Sequence, residues 1–164
     1  DRGQRLVFRL DRLIGSGPRD QAAGPGQPEP DRRSALSVLR DPGTARVCVN
    51  LGLRGDRRLA AWAGFDRLGL DVIRSPGIGA ELVADCRGYR RPQRYACALA
   101  KRLALRRGRL AGARVVALFE DDVVFAADAV ERLSAITLPE DWGVFFLGCR
   151  HLARPTPAGP IRCG

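Results

Sequence analysis

Arg114-Val115-Val116-Ala117-Leu118-Phe119-Glu120-Asp121-Asp122 is the stretch on which the reading of this chain turns. Five apolar residues in a row, then three acids, describe a strand buried on both faces that ends abruptly in charge. In an open α/β sheet, ligands bind beyond the carboxyl ends of the strands. Glu120, Asp121 and Asp122 stand in that place.

Working outward, the same character recurs. Arg46-Val47-Cys48-Val49-Asn50-Leu51 reads as a second buried strand, Asp71-Val72-Ile73-Arg74 as a short one and Val144-Phe145-Phe146-Leu147 as a fourth. Helical patterns lie between them. A helix of about three turns follows the polar turn at Gly52 to Asp56, with Asp56 as N-cap and Ala61, Trp62, Phe65 and Leu68 on its inner face. Gly69 ends it. A second helix runs from Gln93 to Arg107, its inner stripe expected at Tyr95, Ala98, Leu99 and Leu103. Asp128 caps a third, with Val130, Leu133 and Ile136 at core spacing. Strands alternating with helices predict an α/β fold: a Rossmann-like, mostly parallel sheet with helices on both faces.

Residues 1–43 read as an N-terminal extension, and residues 44–164 as the domain. Residues 4–14 are compatible with a strand or a helical turn, the Gly/Pro/Gln-rich run from Gly15 to Pro30 is a linker by composition, and Ser34 to Arg40 suits a short helix. The chain has no methionine, so Asp1 reads as the start of a fragment or a processed chain.

Hydrophobic residues make up 45% of the chain, enough to build a core and too many for a disordered one. No apolar run reaches the roughly 20 residues of a transmembrane helix. The net charge of +10 suggests an anionic partner. Lys101 is the sole lysine, however, and the arginines are scattered among few aromatics, which argues against dedicated nucleic-acid binding. An arginine-lined pocket for a phosphorylated small molecule uses the same charge better. Five cysteines without a Cys-x-x-Cys pair, and a single histidine, speak against a structural zinc site or a disulfide framework. Reduced thiols in a cytoplasmic protein are the simplest expectation.

The acidic turn has two readings. Neighbouring carboxylates repel, and a bound cation would relieve them. Hard oxygen ligands without His or Cys select Mg²⁺ or Mn²⁺ over zinc. In the other reading, the turn is solvated and its charges pair with nearby arginines.

Three segments taken together resemble the glycosyltransferase family 25 pattern, the group of lipopolysaccharide-biosynthesis and collagen galactosyltransferases. The first is Val47-Cys48-Val49-Asn50-Leu51 followed by Arg54, Asp56, Arg57 and Arg58. The second is Ala96-Cys97-Ala98-Leu99, leading to Leu118-Phe119-Glu120-Asp121-Asp122-Val123. The third is Leu138-Pro139-Glu140-Asp141-Trp142, then Phe146-Leu147-Gly148. The resemblance spans about residues 46 to 149. It implies a GT-A type fold, incomplete at its C-terminus, that moves a sugar from a nucleotide-diphosphate donor, expected to be a UDP-sugar, to a saccharide or glycoconjugate acceptor. It also implies Mn²⁺ or Mg²⁺ on Asp122 with Glu120, and Asn50, Leu51, Arg54, Glu120 and Asp121 beside the nucleotide. The family is thought to invert the anomeric centre, which requires a base; no residue is assigned to that role.

Two departures stand out. Ala100 and Lys101 occupy positions where the family usually has Ser-His, and the chain ends soon after the fourth strand. Lys101 reads as a solvated helix residue, His151 as structural or solvated, and Trp62 and Trp142 as core. The non-enzymatic alternative is an arginine-rich polyanion-binding module.

Overall fold

The computed structural model describes the backbone of residues 5–9 and all of residues 33–148. Among the described residues, five strands form one sheet: β1 (Arg5–Arg9), β2 (Thr44–Asn50), β3 (Ile73–Pro76), β4 (Val115–Glu120) and β5 (Val144–Gly148). Their order across the sheet is β3-β2-β4-β1-β5. The first three are parallel, with Val47 opposite Ile73 on one side and Leu118 on the other. β1 runs antiparallel to both β4 and β5.

The fold is therefore α/β with a three-stranded parallel sheet flanked by helices, consistent with the Rossmann-like expectation. The antiparallel strand was not anticipated. It comes from upstream of Thr44, where the sequence reading starts the domain, and it separates β4 from β5. Helix α1 (Ala35–Arg40) also precedes Thr44, yet Ala35, Leu36, Val38 and Leu39 are all buried in the main core. Ser34 caps it by accepting from the Ser37 amide. The expected linker between these two elements lies outside the described residues.

Alternation along the strands sorts side chains onto two faces. Cys48, Ala117 and Phe119 meet α1, α2 (Gly55–Arg67) and α4 (Ala129–Ala135). Phe65 of α2 sits at the centre, fully buried, its ring centroid 4.9 Å from that of Phe119 and 5.7 Å from that of Phe125. Val47, Val116 and Leu118 face the opposite way, onto α3 (Pro92–Leu110).

Several local expectations shift. Asp56 is not the N-cap of α2; Arg54 occupies that position and makes no side-chain cap bond, while Asp56 lies in the first turn. Gly69 does close the helix, with φ +64, a left-handed conformation that glycine adopts without steric cost. Strand β3 starts at Ile73, not Asp71. On α4, Leu133 is buried but Val130 and Ile136 are largely exposed. On α3 the buried stripe is Ala96, Ala100, Ala104 and Gly108, one residue round from the expected one. Leu103, assigned inward by its size, is exposed. The helix lies so close to the sheet that a Cβ on Gly108 would stand 2.6 Å from Val116 Cγ2, so only small residues fit beneath it.

Candidate functional site

Helices α2 and α3 leave the sheet on opposite faces, and the parallel strand order changes direction between β2 and β4. That reversal of strand order is a topological switch point, the kind of place where ligands bind in open α/β sheets. Asn50 ends β2 there and Glu120 ends β4.

Asn50 is 1% exposed and joins the two strand ends. Its Nδ2 donates to Asp121 Oδ2 at 2.7 Å and to the Arg54 carbonyl at 3.1 Å. Its Oδ1 accepts from Arg74 Nε at 3.0 Å. A side chain with both donors and an acceptor is needed to satisfy all three partners, which accounts for an amide in a buried position. Arg74 reaches across from β3 and also donates to the Asn50 carbonyl.

The three acids do not act as one cluster. Asp121 is held on the α2 side, by Asn50 and by Arg57, whose Nη1 lies 3.5 Å from Oδ1. Glu120 is held on the α3 side, with Oε1 2.7 Å from Lys101 Nζ and Oε2 accepting from Cys97 Sγ at 3.7 Å. Consecutive residues leaving a strand point to opposite faces, so adjacency in sequence becomes separation in space. Of the two readings of the turn, pairing with nearby basic side chains is the one seen for Glu120, on Lys101, and for Asp121, on Arg57. Arg54 is turned to Asp56, with Nε 3.0 Å from Oδ1 and Nη2 2.8 Å from Oδ2. Leu51 follows Asn50 as a half-exposed residue against Gly77.

Titration follows this geometry. Burial drives the Lys101 pKa down, but the hydrogen bond and charge of Glu120 outweigh it and leave the ammonium above its ordinary value. Burial, reinforced by Glu120, raises the Cys97 thiol above its ordinary value. Cys48, beneath the turn, is pushed up to about 12 by burial and then by Asp121, Glu120 and Asp122. The Arg54 hydrogen bond holds Asp56 well below the usual carboxylate range.

A divalent ion caged by protein ligands alone is not what these positions provide. Among the described residues, no group of three His, Cys, Asp or Glu side chains converges. The mode left for Mg²⁺ or Mn²⁺ is one or two carboxylates completed by substrate phosphates. Glu120, expected to share the ion with Asp122, is drawn toward Lys101 instead.

Of the sequence-nominated residues, the structure brings Asn50, Arg54 and Asp121 together directly and joins Glu120 to Lys101. Lys101, read from the sequence as a solvated helix residue, is instead largely covered and paired with Glu120, and Arg74 was missed. Lys101 had a usable signal, a single lysine four residues past Cys97 on the helix that covers β4. His151 lies outside the described residues. A cavity of about 300 Å³ lies elsewhere, at the amino ends of β2 and β4 between Thr44, Val115, Arg114 and Trp142. It adjoins α1 rather than the switch point. Comparison with protein-family models, curated proteins and solved structures returns no match. Among the described residues, no helix is long and apolar enough to cross a membrane.

Proposed function

We propose that this chain carries the donor-binding part of a glycosyltransferase of GT-A type, acting on a nucleotide-diphosphate sugar, with a UDP-sugar as the expected donor. The observation that carries the reading is the Asn50–Asp121 hydrogen bond across the switch point. It fixes two strand ends at the place where an open α/β sheet receives a nucleotide. The resemblance to glycosyltransferase family 25 over residues 46–149 supports the same assignment.

In this reading Asn50 and Asp121 fix the two strand ends, and Arg57 and Arg54 stand at the start of α2 beside the diphosphate. Arg57 is 43% exposed in its side chain, so it can turn from Asp121 to a phosphate oxygen. The N-terminal end of α2 adds its own attraction for an anion. A divalent ion at Asp122, when bound with the donor, would stabilise the charge that develops on the departing nucleoside diphosphate. Acceptors would be saccharides or glycoconjugates.

The polyanion-binding alternative is weakened by how the arginines are used. Arg40 donates to the Leu68 carbonyl, Arg46 to those of Leu39, Asp41 and Asp71, and Arg67 to that of Phe125. These guanidinium groups tie elements of the fold together instead of forming one basic face.

Calorimetry with UDP tests the reading. Binding is expected in the presence of Mn²⁺, to weaken at least about tenfold on chelation, and to be lost in Asp122→Asn with the fold retained. Binding that ignores EDTA and falls steeply with salt would favour the polyanion module instead.

A further inference from the structure

We propose that the outward face of α3 is a docking surface for an anionic lipid bilayer, on which the helix lies flat. The proposal needs only the surface of α3 and stands apart from the donor-site reading.

Three observations carry it. The first is where the net charge sits. Of the chain's 28 basic and 18 acidic side chains, nine basic ones and no acid fall between Cys86 and Ala113, which leaves 19 against 18 elsewhere. Arginines that look scattered along the sequence are thus gathered on one helix and the turn before it. Second, the fold does not occupy them. The ion pairs among the described residues use Arg33, Arg54, Arg57, Lys101 and Arg132, and none of the eight arginines of this segment. With Ala96, Ala100, Ala104 and Gly108 against the sheet, Arg94, Arg102, Arg106 and Arg109 take the opposite, exposed side. Like charges so placed repel one another, and an anionic surface relieves them. Third, leucines border the row. Leu103 and Leu110, about two turns apart, are 40% and 77% exposed.

The leucines decide which anionic partner fits. Phosphates of a nucleic acid would meet the arginines and gain nothing from apolar side chains beside them. A bilayer uses both: its headgroup anions accept from the guanidinium groups, and leucine enters the boundary with the acyl chains. At 19 residues the helix is about 28 Å long, so it meets several headgroups at once. It is not apolar enough to cross the membrane, and its place is on the surface.

Co-sedimentation of the chain with lipid vesicles tests the proposal. The chain is expected to pellet with phosphatidylcholine vesicles containing about one-third phosphatidylserine, and to stay in solution with phosphatidylcholine alone. Arg102→Gln/Arg106→Gln is expected to weaken binding about tenfold or more. Arg58→Gln/Arg132→Gln removes the same charge from exposed residues off α3, and should weaken it less than about threefold. Leu103→Ser/Leu110→Ser leaves every charge in place and is expected to weaken vesicle binding too. Equal binding to the two vesicle types, or equal weakening by the two arginine pairs, overturns the proposal. So does a leucine variant that binds vesicles like wild type, or a short DNA duplex bound more tightly than the mixed vesicles at the same salt. Circular dichroism checks each fold. Should the α3 arginine pair not fold, Arg94→Gln/Arg109→Gln takes its place with the same expected loss.

Discussion

The two faces of the sheet are built on opposite rules. Toward α1, α2 and α4 the sheet needs volume: Phe65, Phe119 and Phe125 stack within 4.9–6.1 Å of one another, with Trp62 edge-on to Phe65 at 5.5 Å. Toward α3 it needs the absence of volume, because the helix is seated on Ala96, Ala100, Ala104 and Gly108. The difference bears on the site. The aromatic face carries Asn50 and Arg57, which hold Asp121, while the small-residue face brings Lys101 close enough to hold Glu120. Close approach on one side and bulk on the other split the acidic turn.

The sharpest way to break this contrast is to remove volume where volume is needed. Phe65 has no exposure and touches both neighbouring rings, so Phe65→Ala leaves a cavity that rigid β strands and packed helices cannot fill. A loss of about 3–5 kcal/mol is expected from urea denaturation. A loss under about 1 kcal/mol, within the range of a surface change, would show that the aromatic cluster is not the keystone of its face.

Adding volume on the other face is the second test, with a smaller effect. Gly108→Val places a branched side chain where even a Cβ meets Val116 Cγ2 at 2.6 Å, and a cost of about 1–3 kcal/mol is expected. Gly108→Ala sharpens the comparison. In an open helix it would gain about 1 kcal/mol, and here the contact with Val116 is expected to consume that gain. A clearly stabilised Gly108→Ala chain would mean that α3 does not sit as tightly as its small stripe implies. Circular dichroism melts on both variants read the result.

The same asymmetry explains what could be read from the sequence. Strand β4 was legible because an apolar run of that length ending in charge reads as a buried strand in an α/β chain, while what its acids do was left with two readings. The aromatic face was legible in part: Ala61, Phe65 and Leu68 are large or periodic, and all are fully buried. The α3 face was not. Choosing the bulkiest residues as the inner stripe selects Leu99 and Leu103, whereas close packing selects alanine and glycine, which carry no hydrophobic signature of their own. An inner stripe of small residues turns Lys101 toward β4, which is why its partner went unseen. The antiparallel β1 was out of reach for another reason. Its pairing spans over a hundred residues, Leu6 opposite Leu118, and five residues of sequence hold no information on such a partner.

Alkaline pH offers the mildest test, since it asks which face titrates first. Cys48 lies on the aromatic face under the acidic turn, and its thiol is raised from an ordinary 9.0 to about 12. The folded chain therefore keeps this proton while the unfolded chain loses it. Stability from the neutral thiol is complete below pH 9 and drains away as the pH climbs toward 12. On the α3 face, Cys97 is raised in the same direction, and the stability that Lys101 supplies, its pKa raised from 10.5, is fully present below that pH and is lost only above it. At pH 10, one unit into the window, the loss from Cys48 is expected to be about 1 kcal/mol. Denaturation at pH 8 and pH 10 measures it as a difference, so the cavity left by Cys48→Ala cancels between the two conditions. That variant should lose less between pH 8 and pH 10 than wild type, and Cys97→Ala should change the difference less. An equal or larger effect from Cys97→Ala would place the deeper desolvation beside Lys101, and with it the better-shielded half of the acidic turn.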